Sequence, residues 1–179
     1  NPYYAEVIEN VNLNGRGSDL ETRHLVLSIE DSNFQFEPGD CIGIYPENHP
    51  QLVDELIQHM QWDADEQVVV NKQGEKKTLR EALSQSYEIT VLTKRLLEQA
   101  AALKEDAKFH ELLKDDEQIK SYMNGRDLLD LVKDFGPWNV KAADFVQILR
   151  KLPARLYSIA SSYQANPDEV TLVLRTVRY

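Results

Sequence analysis

The order of structural patterns along the chain limits the possible folds most strongly. Residues 1–47 and 151–179 have the alternation and turns of β-strands, whereas residues 48–150 are mostly helical in pattern. Strands, then helices, then strands again predict a β domain interrupted by a helical insertion, because an alternating α/β fold would place a helix between successive strands. The predicted fold class is therefore α+β.

Side-chain alternation and turn residues define the strand segments. Between Thr22 and Ile29, the side chains of Leu25, Leu27 and Ile29 fall on one face of a strand. Short strands of this kind, separated by turns, predict an antiparallel sandwich or barrel. The predicted strands are Tyr4–Asn10, Thr22–Ile29, Cys41–Tyr45, Val68–Val70, Leu156–Ala160 and Val170–Val177.

Helical spacing of apolar residues recurs through the middle of the chain. Thr78 followed by Glu81 forms a capping-box pattern, which marks the start of a helix, and Pro153 closes the last helix. The predicted helices are Gln51–Met60, one beginning after Thr78, Lys94–Leu103, Phe109–Leu113, Ile119–Met123, Leu128–Val132 and Ala142–Leu149.

Composition excludes several functional classes. The 179 residues are 42% apolar and 28% charged, which supplies enough apolar material for a packed core. A formal net charge of −10 argues against nucleic-acid binding, which needs clustered Lys and Arg. No apolar run approaches the roughly 20 residues that span a bilayer. The single cysteine, Cys41, cannot form a disulfide within the chain, indicates a reducing cytoplasm, and is predicted to be a small buried residue.

Common cofactor and metal motifs are missing from the sequence. Gly15 and Gly17 begin like a dinucleotide-binding fingerprint, but Leu20 takes the place of the third glycine and no helical pattern follows. The four histidines are scattered and lack the spacing of zinc ligands, so no metal site is predicted.

The segment Arg155–Ser162 is the most informative about function. On a strand, Arg155 and Tyr157 share a face, so a guanidinium that suits phosphate oxygens lies beside a ring that can stack. Ser158 adds a small donor where a bulky side chain would block a ligand. These residues alone leave two interpretations open: a site for a flat, partly anionic ligand, or an ordinary solvent-facing strand.

The same segment, R-x-Y-S followed by I-A-S-S, resembles the FAD motif of the ferredoxin–NADP reductase superfamily, in its NADPH-dependent diflavin reductase branch. The resemblance covers essentially the whole chain, and the loop around Gly15 looks most like the sulfite reductase members. Other segments match the family in order: Tyr4–Val7, Glu21–Leu25, Pro38–Asp40, Tyr45–Asn48, Tyr87–Thr90 and Gly125–Asp130.

The resemblance implies a flavin-reductase-type antiparallel β-barrel interrupted by an all-helical connecting domain. The first part of the FAD-binding barrel would be residues 1–47, the connecting domain 48–150, and the second, truncated part of the barrel 151–179. It also implies an oxidoreductase in which FAD takes hydride from NADPH and passes electrons to FMN. The implied final acceptor is a sulfite reductase hemoprotein subunit.

Roles for individual residues follow from the same resemblance. Arg155 would pair with the FAD pyrophosphate, Tyr157 would stack on the isoalloxazine ring, and Ser158, the catalytic candidate, would hydrogen-bond near flavin N5. For Thr90, a helix N-cap is an equally open alternative to a cofactor contact. The other implied cofactor-binding residues are Leu156, Asn124, Gly125, Val173, Leu174, Arg175 and Tyr179.

Expectations about the isolated chain come from family segments that its 179 residues do not match. These are the FMN-binding domain, the NADPH-binding domain and the segment that opens a helix under the FAD pyrophosphate. Because helix N-terminal amides are a main anion site, we expect this chain alone to bind FAD weakly or not at all and to be inactive. The implied parent is cytoplasmic and has those two domains as partners, with no nucleic acid and no membrane.

Three alternatives remain open at this point. The helical region could be a scaffold that docks an FMN domain or partner subunit through acidic segments such as Lys104–Asp106 and Lys114–Glu117, although exposed charge is the default on helix surfaces. The reductase could serve a P450-type acceptor. The chain could also be a free-standing protein without flavin, if the motif set is chance.

Overall fold

The computed structural model describes residues 3–14 and 21–176. Helices and short antiparallel sheets occur together in this part of the chain, which confirms the predicted α+β class. The chain divides into two compact units. We call Asn1–Tyr45 with Ala154–Tyr179 the β unit, and Pro46–Pro153 the helical unit.

The described elements follow the predicted order along the chain. The strands are β1 (Val7–Asn12), β2 (Glu21–Ser28), β3 (Cys41–Ile44), β4 (Gln67–Val69), β5 (Lys76–Thr78), β6 (Arg155–Ser158) and β7 (Glu169–Thr176). The helices are α1 (Pro50–Met60), α2 (Leu79–Gln85), α3 (Lys94–Ala102), α4 (Ala107–Leu112), α5 (Asp116–Met123), α6 (Leu128–Asp134) and α7 (Ala142–Phe145). Between residues 3 and 176, leaving out 15–20, no helix is both long and apolar enough to cross a membrane.

The strands of the β unit form two sheets. In the first, β2 pairs antiparallel with β1 on one side and β7 on the other, with Leu27 opposite Val170. In the second, β3 pairs antiparallel with β6, with Ile44 opposite Arg155. An isolated bridge between Ile159 and Leu172 joins the end of β6 to β7, so the two sheets meet at one corner. Closure of these strands into a barrel stays a prediction.

The expected burial of Cys41 is wrong, since its side chain is exposed. In β3, Cys41 and Gly43 face outward while Ile42 and Ile44 pack against the core of the β unit. The strand is apolar in composition, but side chains of a strand alternate between faces, and this two-stranded sheet covers only one of them.

Aromatic rings fill the centre of the helical unit. Phe109, which is fully buried, stacks on Phe135 with 4.3 Å between ring centroids. Phe145 lies between Trp62 and Trp138, at 5.3 and 5.7 Å. Both tryptophans are partly buried, and both donate their indole N–H to backbone carbonyls at 2.9 Å, so the rings pack against the core without leaving a polar group unsatisfied.

Two features of the helix ends test the sequence predictions. The capping box is confirmed: the Thr78 hydroxyl accepts from the Glu81 backbone N–H, and the Glu81 carboxylate accepts from the Thr78 N–H. The last predicted helix is shorter than expected, because α7 tightens into a 3-10 turn over Val146–Ile148 before the chain becomes extended at Leu149.

A matched pair of leucines tests the helical core. Leu97 in α3 is fully buried, whereas Leu103 just beyond the helix is 36% exposed. We expect Leu97→Ala to lower the free energy of unfolding by about 2–5 kcal/mol, and Leu103→Ala to lower it by less than about 1 kcal/mol. Urea unfolding followed by far-UV circular dichroism measures both; equal losses would contradict this packing.

Candidate functional site

The predicted R-x-Y-S segment is strand β6 itself. Arg155, Leu156 and Ser158 are exposed, and Leu156 reaches 73% exposure although it is apolar. Tyr157 is half-buried and packs against the core of the β unit on the same side as its pairing partner Ile42. The strand therefore holds one ring partly fixed between side chains that remain accessible to a ligand.

The second predicted cofactor-binding segment, Val173–Arg175, lies on strand β7, which contacts the end of β6. The bridge between Ile159 and Leu172, and a 2.9 Å hydrogen bond from the Ala160 N–H to the Thr171 carbonyl, fix the two strands at this point. Ser158 directly precedes the bridge on one strand, and Val173 directly follows it on the other. The structure thus brings together two cofactor-binding segments predicted from distant parts of the sequence.

The exposure of the β7 residues follows strand alternation. Val173 and Arg175 are exposed, with Val173 at 51%, while Leu174 packs against the core. Tyr179, the last predicted cofactor-binding residue, lies outside the described residues. The exposed face of β7 next to the bridge is therefore formed by one apolar and one cationic side chain.

In the helical unit, Thr90 is not a helix cap. Helix α3 is capped by Thr93, whose hydroxyl accepts from the Leu96 backbone N–H at 3.2 Å. Thr90 instead donates its hydroxyl to Glu88 Oε1 at 2.5 Å, and its backbone N–H to the same oxygen at 2.9 Å. The N-cap alternative for Thr90 is wrong, and the predicted cofactor contact stays open.

The carboxyl group that holds Thr90 is itself buried. Glu88 is only 4% exposed, and its Oε2 lies 3.9 Å from Nη2 of the half-exposed Arg150. The sequence interpretation used Glu88 only as a family landmark and missed this role. The sequence did contain a hint of this burial, because Glu88 lies between the apolar Tyr87 and Ile89. A charged residue in that position is either buried with its neighbours or points to solvent.

Asn124 and Gly125 lie in a segment that is hydrogen-bonded to the segment carrying Thr90. Both are exposed in the turn after α5, and Gly125 has a φ of +70°, a conformation that favours glycine. The backbone N–H of Leu128, three residues further on, donates to the Ile89 carbonyl at 3.1 Å. One hydrogen bond thus links the segment carrying Thr90 to the one carrying Gly125.

A buried amide fixes the strand-like segment before Thr90. Asn48 is 8% exposed, and its side-chain N–H groups donate to the carbonyls of Leu83 and Tyr87, both at 2.7 Å. The two hydrogen bonds join residues 35 and 39 positions apart, so no local pattern in the sequence could predict them. Asn48 is therefore a second residue whose importance the sequence interpretation missed.

Two surface cavities of the helical unit lie away from the predicted residues. Two cavities of about 420 and 460 Å³ lie in the helical unit, one beside Tyr87 and Lys151 and the other between Trp62 and Trp138. Neither is lined by a predicted cofactor-binding residue. Within residues 3–14 and 21–176, no three His, Cys, Asp or Glu side chains gather closely enough to hold a metal ion. Among the predicted residues that the structure describes, Tyr157 and Leu174 pack against the core and the others are exposed.

Comparison with known proteins identifies the family. A family model described as the FAD binding domain matches residues 1–179, that is, the whole chain. The chain belongs to this family, which confirms the family predicted from the motifs and, with it, FAD as the family's cofactor.

Three named relatives extend this result. The chain is 60% identical to the sulfite reductase [NADPH] flavoprotein alpha-component of Bacillus subtilis, with all of the chain and 30% of that protein aligned. It is 36% identical to the protein of the same name from Photorhabdus laumondii and 35% identical to that from Serratia proteamaculans, each over 99% of the chain and 29% of the relative. The chain therefore spans less than a third of the length of these relatives.

The buried amide of Asn48 gives a testable prediction. We expect Asn48→Ala to lower the free energy of unfolding by about 1–3 kcal/mol, because two buried carbonyls lose their donor. Asn139→Ala, at an exposed position of the same unit, is the matched control and should change stability little. Chemical denaturation gives both values; a neutral Asn48→Ala would contradict the role of this amide.

Proposed function

We propose that this chain is the FAD-binding and connecting part of an NADPH-dependent flavoprotein oxidoreductase. In the complete protein, electrons would pass from NADPH through FAD to FMN and on to a sulfite reductase-type acceptor. The observation that carries the proposal is the meeting of strand β6 with β7 beside Ile159 and Leu172, in a chain that matches the FAD binding domain throughout. The proposal takes NADPH and sulfite from the names of the relatives, which are sulfite reductase [NADPH] flavoproteins.

The chemistry of the accessible side chains fits FAD. Arg155 offers a planar guanidinium suited to a pyrophosphate, Tyr157 offers a partly fixed ring for stacking on a flavin, and Ser158 offers a small hydroxyl beside them. Val173, Leu174 and Arg175 would contribute main-chain groups, as would Leu156. When bound, FAD supplies the hydride-accepting ring and the step from two-electron to one-electron transfer.

We assign Ser158 the catalytic role because its hydroxyl is the group that we place near the reacting nitrogen of the flavin. The protein's own contribution is to orient the ring through Tyr157 and to hold the anionic end through Arg155. In the helical unit, the proposed cofactor-binding residues are Thr90, Asn124 and Gly125. Tyr179 would add an aromatic contact.

The larger architecture belongs to the same proposal. The sheet β1-β2-β7 and the pair β6-β3 would form a flavin-reductase-type barrel, with the parts at 1–47 and 151–179 and the helical connecting domain at 48–150. Its partners would be the FMN-binding and NADPH-binding domains of the parent and a sulfite reductase hemoprotein subunit. We place the protein in the cytoplasm.

The scaffold alternative gains no support from the acidic segments. Asp106 and Asp115 accept from backbone N–H groups as caps of α4 and α5. Asp116 pairs with Lys94 at 2.6 Å, and Glu117 pairs with Lys120 at 2.8 Å. These carboxylates serve local helix ends and neighbouring lysines, as expected of an ordinary exposed helix surface. A P450-type acceptor has no counterpart among the three named relatives.

A flavin titration tests the proposal. The 179-residue chain and a version extended through the expected pyrophosphate-binding segment are each titrated with FAD, and binding is followed by the quenching of flavin fluorescence. We expect the extended protein to bind tightly and the shorter one weakly. If neither binds, the R-x-Y-S assignment is overturned and the scaffold hypothesis moves ahead.

Arg155 supplies the sharpest single-residue prediction. In the extended protein, we expect Arg155→Ala to weaken FAD binding by roughly tenfold or more, because a hydrogen bond to a charged group contributes about 1.5–3 kcal/mol. Arg155→Lys should recover part of the loss, since the charge remains but the bidentate fork does not. Arg95→Ala, an exposed arginine of α3, is the matched control; an equal effect there would refute the contact.

A further inference from the structure

Glu88 is a buried acidic side chain to which the proposed function gives no role. Its side chain is 4% exposed, and it is the only charged residue that is buried in the part of the chain that the structure describes. Burying a carboxyl group is costly unless it is paired and hydrogen-bonded. Its position two residues before Thr90 suggests what offsets that cost.

The contacts of Glu88 fix the direction of the hydrogen bond to Thr90. Its Oε2 lies 3.9 Å from the Arg150 guanidinium, which stabilises the ionised carboxylate. An ionised carboxylate has no hydrogen to donate, so the hydroxyl of Thr90 must be the donor across the 2.5 Å that separates it from Glu88 Oε1. Such a short O–H···O⁻ distance is typical of a charge-assisted hydrogen bond.

The hydroxyl of Thr90 is thereby left as an acceptor. A threonine hydroxyl has one hydrogen and two acceptor lone pairs, and Glu88 takes the hydrogen. Thr90 itself is solvent-exposed, so the lone pairs remain within reach of a ligand. A partner group must bring its own hydrogen, which selects a hydroxyl or N–H group and excludes phosphate and carbonyl oxygens.

The backbone around Glu88 is held in place on several sides. The Glu88 N–H donates to the Arg150 carbonyl at 3.0 Å, and the Ile89 carbonyl accepts from the Leu128 N–H at 3.1 Å. The Tyr87 carbonyl accepts from the Asn48 amide at 2.7 Å. The Thr90 hydroxyl is therefore oriented by a support that does not depend on the ligand.

We propose that Glu88 is a positioning residue that turns the Thr90 hydroxyl into a fixed acceptor for a hydroxyl or N–H group of FAD. The donor would be a hydroxyl of the ribityl chain or of the adenosine ribose, the adenine amino group, or the flavin N3–H. This inference rests on the proposed function, since it takes FAD as the ligand. Beyond the proposed function, it specifies the chemical class of the FAD group that binds Thr90, and it assigns Glu88 the role of orienting the Thr90 hydroxyl.

A double-mutant cycle in the complete, flavin-depleted reductase subunit tests the positioning role. We expect Thr90→Val and Glu88→Ala each to weaken FAD binding about five- to tenfold, the range for loss of one hydrogen bond. If Glu88 acts through Thr90, the double variant should bind no more weakly than Thr90→Val alone. Thr90→Ser and Glu88→Gln, which keep the hydroxyl and an acceptor, should each bind within about twofold of the wild type.

Cofactor analogues test the acceptor role. FAD lacking one ribityl hydroxyl, lacking one adenosine hydroxyl, lacking the adenine amino group or methylated at N3 is titrated against wild type and Thr90→Val. The loss caused by Thr90→Val should disappear with one of these analogues and persist with the others. Persistence with every analogue would show that Thr90 does not accept from the cofactor.

The outcomes separate this inference from the function on which it rests. If the wild-type subunit takes up no FAD, both are overturned. If it binds FAD and the effects of Glu88→Ala and Thr90→Val multiply, or neither variant changes binding, only the positioning role is overturned. Should Glu88→Ala fail to fold, as a thermal melt would show, a pair of Thr90→Val and Thr90→Ser titrations still decides whether the hydroxyl is used.

Discussion

The helical unit depends on one short segment that holds both of its ends. Near the start of the unit, the Asn48 backbone N–H donates to the Ser84 carbonyl at 2.8 Å, and its amide bonds Leu83 and Tyr87. Near the end, the Leu152 N–H donates to the Ser86 carbonyl at 2.9 Å. Residues 83–87, which span the C-terminal end of α2, therefore clamp the two ends of the unit side by side.

This clamp explains how the small sheet of β3 and β6 can form. Pairing Ile44 with Arg155 joins positions about 110 residues apart, and closing a flexible loop of that length would cost about 4 kcal/mol or more in chain entropy. Four residue pairs form a weak sheet by themselves. Because the folded helical unit already holds its own ends together, most of that entropy is lost in folding that unit and not in pairing the strands.

The sequence predicted the elements whose signals are local. The alternation from Thr22 to Ile29 gave β2 to within one residue at each end, and the capping box at Thr78 is present as expected. Strand β5 was missed because its three residues, Lys76–Thr78, are polar and are held by backbone pairing with β4. Composition likewise misled for Cys41, whose exposure depends on which face of a two-stranded sheet is covered.

In the candidate site, too, local features could be predicted from the sequence and long-range contacts could not. The motif at Arg155–Ser158 could be placed on a strand because it carries its own pattern. Its meeting with β7 through Ile159 and Leu172 could not be predicted, since long-range pairing leaves no local trace. Glu88 is similar: its hydrogen bond with Thr90 is local, whereas its ion pair with Arg150 joins positions more than sixty residues apart.

The central position of β2 in the sheet β1-β2-β7 has a consequence for how the protein folds during its synthesis. This strand is synthesised before the whole helical unit, yet its partner β7 starts at Glu169, after that unit. At ordinary translation speeds of about 5–20 residues per second, roughly 7 to 30 seconds pass between the synthesis of β2 and that of β7. The helical unit, whose contacts are complete by Pro153, can fold during this interval. During this interval the apolar side chains of β2 lack their partner strand, which is the kind of surface that chaperones bind.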